Sequence, residues 1–190
     1  MSFLHAPAPS VGAVIVMGVA GCGKSTLGQE LAARLGCGFL EGDAFHTPEN
    51  IAKMAHGTPL DDADRWPWLD TVGAALGRAA QAGGSAIAGC SALKRSYRER
   101  LAAAAGRPLR FIHLTGAREL LAARMSARTA HFMPTTLLDS QLATLEPLQP
   151  DEPALVLDVA QPPPLLVAAA LRWLTAPDAG HLAAGHLAAG

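Results

Sequence analysis

Apolar positions along this chain follow two alternating rhythms. Short continuous runs at Val11 to Met17, Gly38 to Gly42, Ser85 to Cys90, Arg110 to Leu114 and Leu155 to Val159 predict five strands, the first rich in β-branched residues. Between them, apolar residues recur every three or four positions. That spacing predicts helices over Ser25 to Leu35, where Leu27, Leu31 and Leu35 stand four apart, and over Pro48 to Ala55, Ala63 to Gln81, Lys94 to Ala104, Ala117 to Arg128, Thr135 to Glu146 and Pro164 to Trp173. Strands alternating with helices make an α/β fold, a parallel sheet covered on both faces with ligands beyond the carboxyl ends of its strands. The polar clusters gather at that edge: Gly18 to Ser25 after the first strand, Asp43 to His46 after the second, Ser91 to Arg98 after the third.

The first cluster, Gly18-Val19-Ala20-Gly21-Cys22-Gly23-Lys24-Ser25, fills every fixed position of the phosphate-binding pattern G-x-x-x-x-G-K-[ST]. Glycines there let successive backbone N–H groups close around a phosphate, and the start of the following helix favours negative charge. ATP is the expected nucleotide, held by Gly18 through Ser25 and the adjoining Thr26. Lys24 would reach its β- and γ-phosphates and the Ser25 hydroxyl would hold Mg²⁺.

Phosphoryl transfer also needs a positioned acceptor hydroxyl and cations that meet the charge of the transition state. Asp43 is placed to orient an acceptor hydroxyl or take its proton, the alternative being a carboxylate that caps the turn. Arg65, after Asp61-Asp62-Ala63-Asp64, could grip a substrate carboxylate in bidentate fashion or pair with those aspartates. Lys94, Arg95 and Arg98 crowd the first turn of a helix, where cations are unfavourable unless an anion is near. Arg124 and Arg128 stand four apart at a helix end and suit a lid that brings a guanidinium to the transferring phosphate. His46 and His131 are candidate ligands for a hydroxyl. Trp66 and Trp68 read as packing anchors.

Composition narrows the partners. A length of 190 residues suits one domain, assigned to 11–174, with 1–10 and 175–190 as flexible ends, the latter closing on a repeated His-Leu-Ala-Ala-Gly. A net charge of -1 with 16% charged residues offers no basic excess for nucleic acid. No run approaches the roughly 18 apolar residues of a membrane span, so a small molecule is the expected partner. Cys22, Cys37 and Cys90 make an odd count without C-x-x-C spacing, which argues against a disulfide framework or a zinc site and fits a reducing cytoplasm.

Longer words join the clusters. Gly42-Asp43-Ala44-Phe45-His46-Thr47-Pro48-Glu49-Asn50-Ile51-Ala52-Lys53-Met54 resembles the G-D-x-x-H-x-x-x-N-I-x-K-M segment of the thermoresistant-type gluconate kinases, members of the phosphate-loop kinase superfamily. Gly57-Thr58-Pro59-Leu60-Asp61-Asp62-Ala63-Asp64-Arg65-Trp66-Pro67-Trp68-Leu69 is similar to G-x-P-L-x-D-x-D-R-x-P-W-L, and Cys90-Ser91-Ala92-Leu93-Lys94-Arg95-Ser96-Tyr97-Arg98 to C-S-A-L-K-x-x-Y-R. His131-Phe132-Met133-Pro134, Ser140-Gln141 and Thr144-Leu145-Glu146 also match, so the resemblance spans about Val14 to Trp173. It implies a three-layer α/β/α phosphate-loop kinase fold with sheet order 2-3-1-4-5, a lid over about 124–134 and a homodimer. It also implies transfer of the ATP γ-phosphate to the 6-hydroxyl of D-gluconate with Mg²⁺. Asp43 would face that hydroxyl, His46, Arg65, Lys94 and Arg98 would line the gluconate site, and Arg124 and Arg128 would belong to the lid. Two other functions stay open: a different small-molecule kinase, for shikimate or a nucleoside monophosphate, and a nucleotide-dependent switch. The absence of an Asn/Thr-Lys-x-Asp word argues against a GTPase.

Overall fold

The computed structural model describes residues 10–127, 135–176 and 185–186. Strand β1 (Gly12–Met17) loses essentially all solvent contact over Val14 to Met17. A strand apolar at every position must be covered on both faces, and β1 lies mid-sheet. Strand β3 (Ser85–Gly89) runs on one side, with Val14 beside Ile87, and β4 (Leu109–Thr115) on the other, with Ile15 beside Phe111. Strand β2 (Gly38–Glu41) pairs outside β3 and β5 (Ala154–Asp158) outside β4. All pairs are parallel, and the order β2-β3-β1-β4-β5 is the one the resemblance implies. Helix α1 (Lys24–Leu35) packs with α7 (Pro163–Thr175), and α3 (Asp62–Gly83) with α4 (Arg95–Ala105). The shorter α2 (Pro48–Ala55), α5 (Arg118–Ser126) and α6 (Thr135–Thr144) complete the helices. None of them is long and apolar enough to cross a membrane among the described residues.

Two differences from the sequence reading have physical causes. Gly185–His186, assigned to a flexible end, forms a sixth strand β6 parallel to β5, with Gly185 beside Leu155 and His186 beside Val156. An edge strand presents unpaired N–H and C=O groups to any extended segment that reaches it, and patterning carries no trace of such an addition. Helix α3 begins one residue early because Asp61 caps it. The Asp61 carboxylate accepts the Asp64 N–H at 2.9 Å, and the Asp64 carboxylate accepts the Asp61 N–H at 3.1 Å.

A charged group lies inside the core beneath α4. Arg98 is 1% exposed, its Nη2 donating to Glu152 Oε2 at 2.9 Å and its Nη1 to the carbonyls of Ala92 and Leu93. Burial alone would raise the Glu152 carboxyl, but the Arg98 hydrogen bonds, the Gln149 N–H and the Arg98 charge hold it below the usual carboxylate range. Burial and the Arg98 charge push His113, on β4, down to about 4 from an ordinary 6.5. Its ring is therefore neutral in the folded protein, whereas the unfolded chain binds a proton there below pH 6.5. The stability this neutral ring contributes is complete above that pH and is lost as pH falls toward 4. The melting temperature is expected to fall across this interval and His113→Phe to flatten the fall. Equal slopes in thermal scans of the two proteins would contradict the assignment.

Candidate active site

The phosphate loop leads from β1 into α1. Gly18, Gly21 and Gly23 take φ angles of 135°, 78° and 96°, which side chains rarely adopt, and a Cβ on Gly21 would meet Met125 Cγ at 2.7 Å. No side chain caps α1 and no acid stands in its first turn, so its leading N–H groups and dipole face the loop unneutralised. Lys24 folds back across the loop, Nζ donating to the Val19 carbonyl at 3.0 Å.

Strand β2 ends in a single 3₁₀ turn over Gly42–Phe45. Only glycine fits at Gly42, since a Cβ there would lie 2.2 Å from the Gly89 carbonyl oxygen. This approach seats the end of β2 against the end of β3. Trp68 fixes the turn by donating its Nε1–H to the Gly42 carbonyl at 2.8 Å, and it stacks on His46 with centroids 4.2 Å apart. His46 is buried, with Nε2 3.9 Å from Asp43 Oδ1 and Nδ1 without a partner among the described residues. Burial lowers its pKa, the Asp43 charge opposes that, and Arg65 adds to the lowering, so the ring is neutral at neutral pH. The Asp43 side chain is 65% exposed and takes no backbone N–H among the described residues, so the hydrogen bond that a turn cap requires is not made.

Asp43, Lys24 and Arg65 converge electrostatically on Cys90, at the end of β3. That thiol is pushed up to about 12, chiefly by burial, with the Ala92 N–H lowering it, the Asp43 charge raising it, and Lys24 and Arg65 lowering it. Alongside lies a cavity of about 530 Å³ lined by Leu60, Asp62, Arg65, Lys94, Tyr97 and Gln141, among others. Arg65 donates Nε–H to the Leu60 carbonyl at 3.2 Å and lies over the Tyr97 ring, 5.6 Å from its centroid. Its guanidinium makes no hydrogen bond to the carboxylates of Asp61, Asp62 or Asp64, and the residue lines the cavity wall. Neither Lys24 nor Asp43 is part of the cavity wall. The link to the phosphate loop is Gln141 of α6, whose Oε1 accepts the Ala20 N–H at 2.6 Å.

The three cations at the start of α4 have carboxylate partners supplied by the chain itself. Lys94 Nζ meets both oxygens of Asp62, at 2.8 and 3.0 Å, and Tyr97 donates its hydroxyl to the same carboxylate. The Lys94 hydrogen bond, then that of Tyr97, hold Asp62 below the usual carboxylate range. Arg95 forks onto Asp151 and pairs with Glu99, and Glu146 accepts the Arg95 N–H at 2.7 Å. Lys94 thus reaches the cavity wall with its charge already matched. Arg98 is the correction: it is buried on Glu152 and braces the connection after β3, where Ala92 takes a φ of 47°, instead of lining the cavity. Arg124, on α5, donates its Nη2 to the Val159 carbonyl at 2.9 Å, toward the turn after β5. Arg128, His131 and the lid beyond residue 127 lie outside the described residues.

A family profile described as an AAA domain matches residues 14–148. A gluconokinase of Gluconobacter oxydans (strain 621H) is 46% identical over 165 residues, covering 87% of this chain and 92% of its own. The chain belongs to the gluconokinase family. The crystal structure of a gluconokinase from Sinorhizobium meliloti 1021 is similar with a TM-score of 0.78 and 47% identity, over 87% of this chain and 92% of that one. A sugar kinase from Janibacter sp. HTCC2649 gives 0.80 and 51%, over 91% and 98%.

The words shared with the gluconokinase family divide into wall and scaffold. From the first come Asp43 and His46 at the strand ends. Asn50 of the same word ties α2 to α3 through the Asp64 carbonyl at 3.1 Å, and Lys53 pairs with Asp64 at 2.7 Å. The second gives Arg65 to the wall and Trp68 to the Gly42 turn. The third gives Lys94 and Tyr97 to the wall and Arg98 to the core. Sequence reasoning gave no role to Asp62 or Gln141. The run of acids before Arg65 was the available signal for the first; the Ser140-Gln141 word carried none for the second, because its contact crosses 121 residues of chain.

Proposed function

We propose that this chain transfers the γ-phosphate of ATP to the 6-hydroxyl of D-gluconate, giving 6-phospho-D-gluconate and ADP. The observation that carries the reading is Arg65, a buried guanidinium without a carboxylate partner among the described residues, in the wall of a cavity that Lys94, Tyr97 and Gln141 also line. A substrate with one carboxylate and a chain of hydroxyls suits that arrangement: the fork takes the carboxylate in bidentate fashion, and the neutral His46 ring serves a hydroxyl. Asp43 orients the 6-hydroxyl and accepts its proton as the phosphorus–oxygen bond forms. Lys24 leaves the Val19 carbonyl for the β- and γ-phosphates. Arg124 and the Ala160-Gln161-Pro162 turn belong to the adenine side, while Arg128 and His131 stay with the lid on the family resemblance. Lys94 serves the substrate hydroxyls through its pairing with Asp62.

Magnesium fits the donor set. Among the described residues no three His, Cys, Asp or Glu side chains cluster as a metal site, and the half-buried Ser25 hydroxyl at the start of α1 makes no side-chain hydrogen bond. An ion that takes one protein oxygen, phosphate oxygens and water suits this, and when bound it neutralises phosphate charge. The reading includes a homodimer, supported by the resemblance, and the cytoplasm, supported by three free cysteines.

The test is the ³¹P NMR spectrum of the product made from Mg-ATP and D-gluconate. A phosphate on the terminal carbon is split into a triplet by two protons. A doublet, from a secondary hydroxyl, or no ester at all would overturn the reading. Arg65→Ala is expected to raise the KM for gluconate roughly ten- to a hundredfold while leaving that for ATP within about twofold, the loss of a charged hydrogen-bond pair. An unchanged gluconate KM would remove Arg65 from the carboxylate.

A further inference from the structure

Gln141 lines the acceptor cavity and, alone of its lining residues, hydrogen-bonds the phosphate loop among the described residues. Its Oε1 accepts the Ala20 N–H at 2.6 Å, so a backbone donor from the middle of the loop is spent on a side chain. The helix that carries it is tied to its neighbours from its middle and from just past its C-terminal end. Asp139 forks with Arg118 of α5 at 2.6 and 2.9 Å, and just past the helix the Glu146 N–H donates to the Leu93 carbonyl at 2.8 Å. Leu137 and Leu138 bury its inner side.

We propose that Gln141 is a positioning residue that couples nucleotide binding to acceptor binding; the proposal rests on the gluconate kinase reading given above. Phosphate oxygens compete for the loop N–H groups, and a charged acceptor outbids a neutral amide. When phosphate takes the Ala20 N–H, the Gln141 carboxamide lets go. Because α6 is fixed, the freed amide turns into the cavity it already lines. There its N–H₂ and carbonyl meet the hydroxyls of the acceptor. Nucleotide thereby completes the acceptor site, and by reciprocity the acceptor tightens the nucleotide.

Titration calorimetry with D-gluconate, with and without saturating Mg²⁺ and the non-hydrolysable adenylyl imidodiphosphate, reads this coupling without turnover. The wild-type protein is expected to bind gluconate at least about fivefold tighter when the nucleotide is present. In Gln141→Ala the gain should shrink to within about twofold of none, while the nucleotide alone binds as well as in wild type or tighter, its competitor being gone. Gln141→Glu keeps the shape and the Ala20 hydrogen bond but sets a negative charge against phosphate, and should weaken the nucleotide about tenfold. A scaffold role would instead weaken both ligands in Gln141→Ala and spare the isosteric Glu. An undiminished gain in Gln141→Ala, no gain in wild type, or that scaffold pattern would overturn the proposal. If wild type binds and phosphorylates gluconate while one of these holds, only the coupling fails. If it binds no gluconate, the functional reading fails with it.

Discussion

Lys24→Ala is expected to abolish measurable phosphoryl transfer, with kcat down by roughly 10³ or more, the scale of removing a preorganised group that meets transition-state charge. Two features of the loop set this magnitude. The α1 N-terminus carries neither a side-chain cap nor an acid, so the site's positive field comes from backbone N–H groups and Lys24. The ammonium is also tethered within its own loop, on the Val19 carbonyl at 3.0 Å, within one side-chain rotation of a phosphate cradled there. Exchanging that weak carbonyl partner for an anion strengthens as charge moves onto the transferring group. A coupled ADP-release assay measures the effect, and a thermal scan controls for loop collapse. A folded variant with kcat within about tenfold of wild type would remove Lys24 from the reaction.

Asp43→Asn is the second large effect. A kcat loss of roughly 10² to 10⁴ is expected with ATP affinity largely kept, because the amide holds the turn but cannot take a proton. The geometry makes the test clean. The Asp43 carboxylate is largely exposed and bonds no backbone N–H of its turn, while the turn itself is fixed by Trp68 on the Gly42 carbonyl and by the close passage of Gly42 against Gly89. Replacing the acid therefore changes the chemistry and leaves the scaffold. An unchanged kcat would make Asp43 a bystander. A loss of ATP affinity equal to the loss of kcat would make it a structural member of the nucleotide site.

The parts legible in the sequence are those governed by local pattern. Every position of β1 is apolar because both its faces are covered, and α1 shows its stripe at Leu27, Leu31 and Leu35; their boundaries lie within a residue of the patterning. The phosphate loop was legible because the two glycines its pattern fixes, Gly18 and Gly23, answer positive φ angles, as does Gly21 between them. Pairing between distant segments was not legible. Arg98 reads as a cation at a helix start, and nothing local says that Glu152, 54 residues on, lies buried against it. Lys94 reads the same way, and its match is Asp62, 32 residues earlier. The physical warning was in the sequence all the same: three cations at a helix N-terminus demand anions. That demand pointed to a substrate anion when the chain's own carboxylates met it, which leaves Arg65 as the cation facing the cavity without a carboxylate among the described residues. The Arg124 contact with the Val159 carbonyl was not legible for a related reason, since a guanidinium at a helix end can reach several carbonyls and its spacing does not choose among them.

The central claim is that the phosphate loop and the Arg65 cavity serve one reaction on a polyhydroxy acid. ADP release from Mg-ATP, followed with D-gluconate, shikimate and nucleoside monophosphates in parallel, tests it most directly. Fast release with gluconate alone, collapsing in Arg65→Ala at low gluconate, is the predicted result. Release at the same slow rate with every acceptor and with none, or a preference for shikimate or a nucleotide, would contradict it.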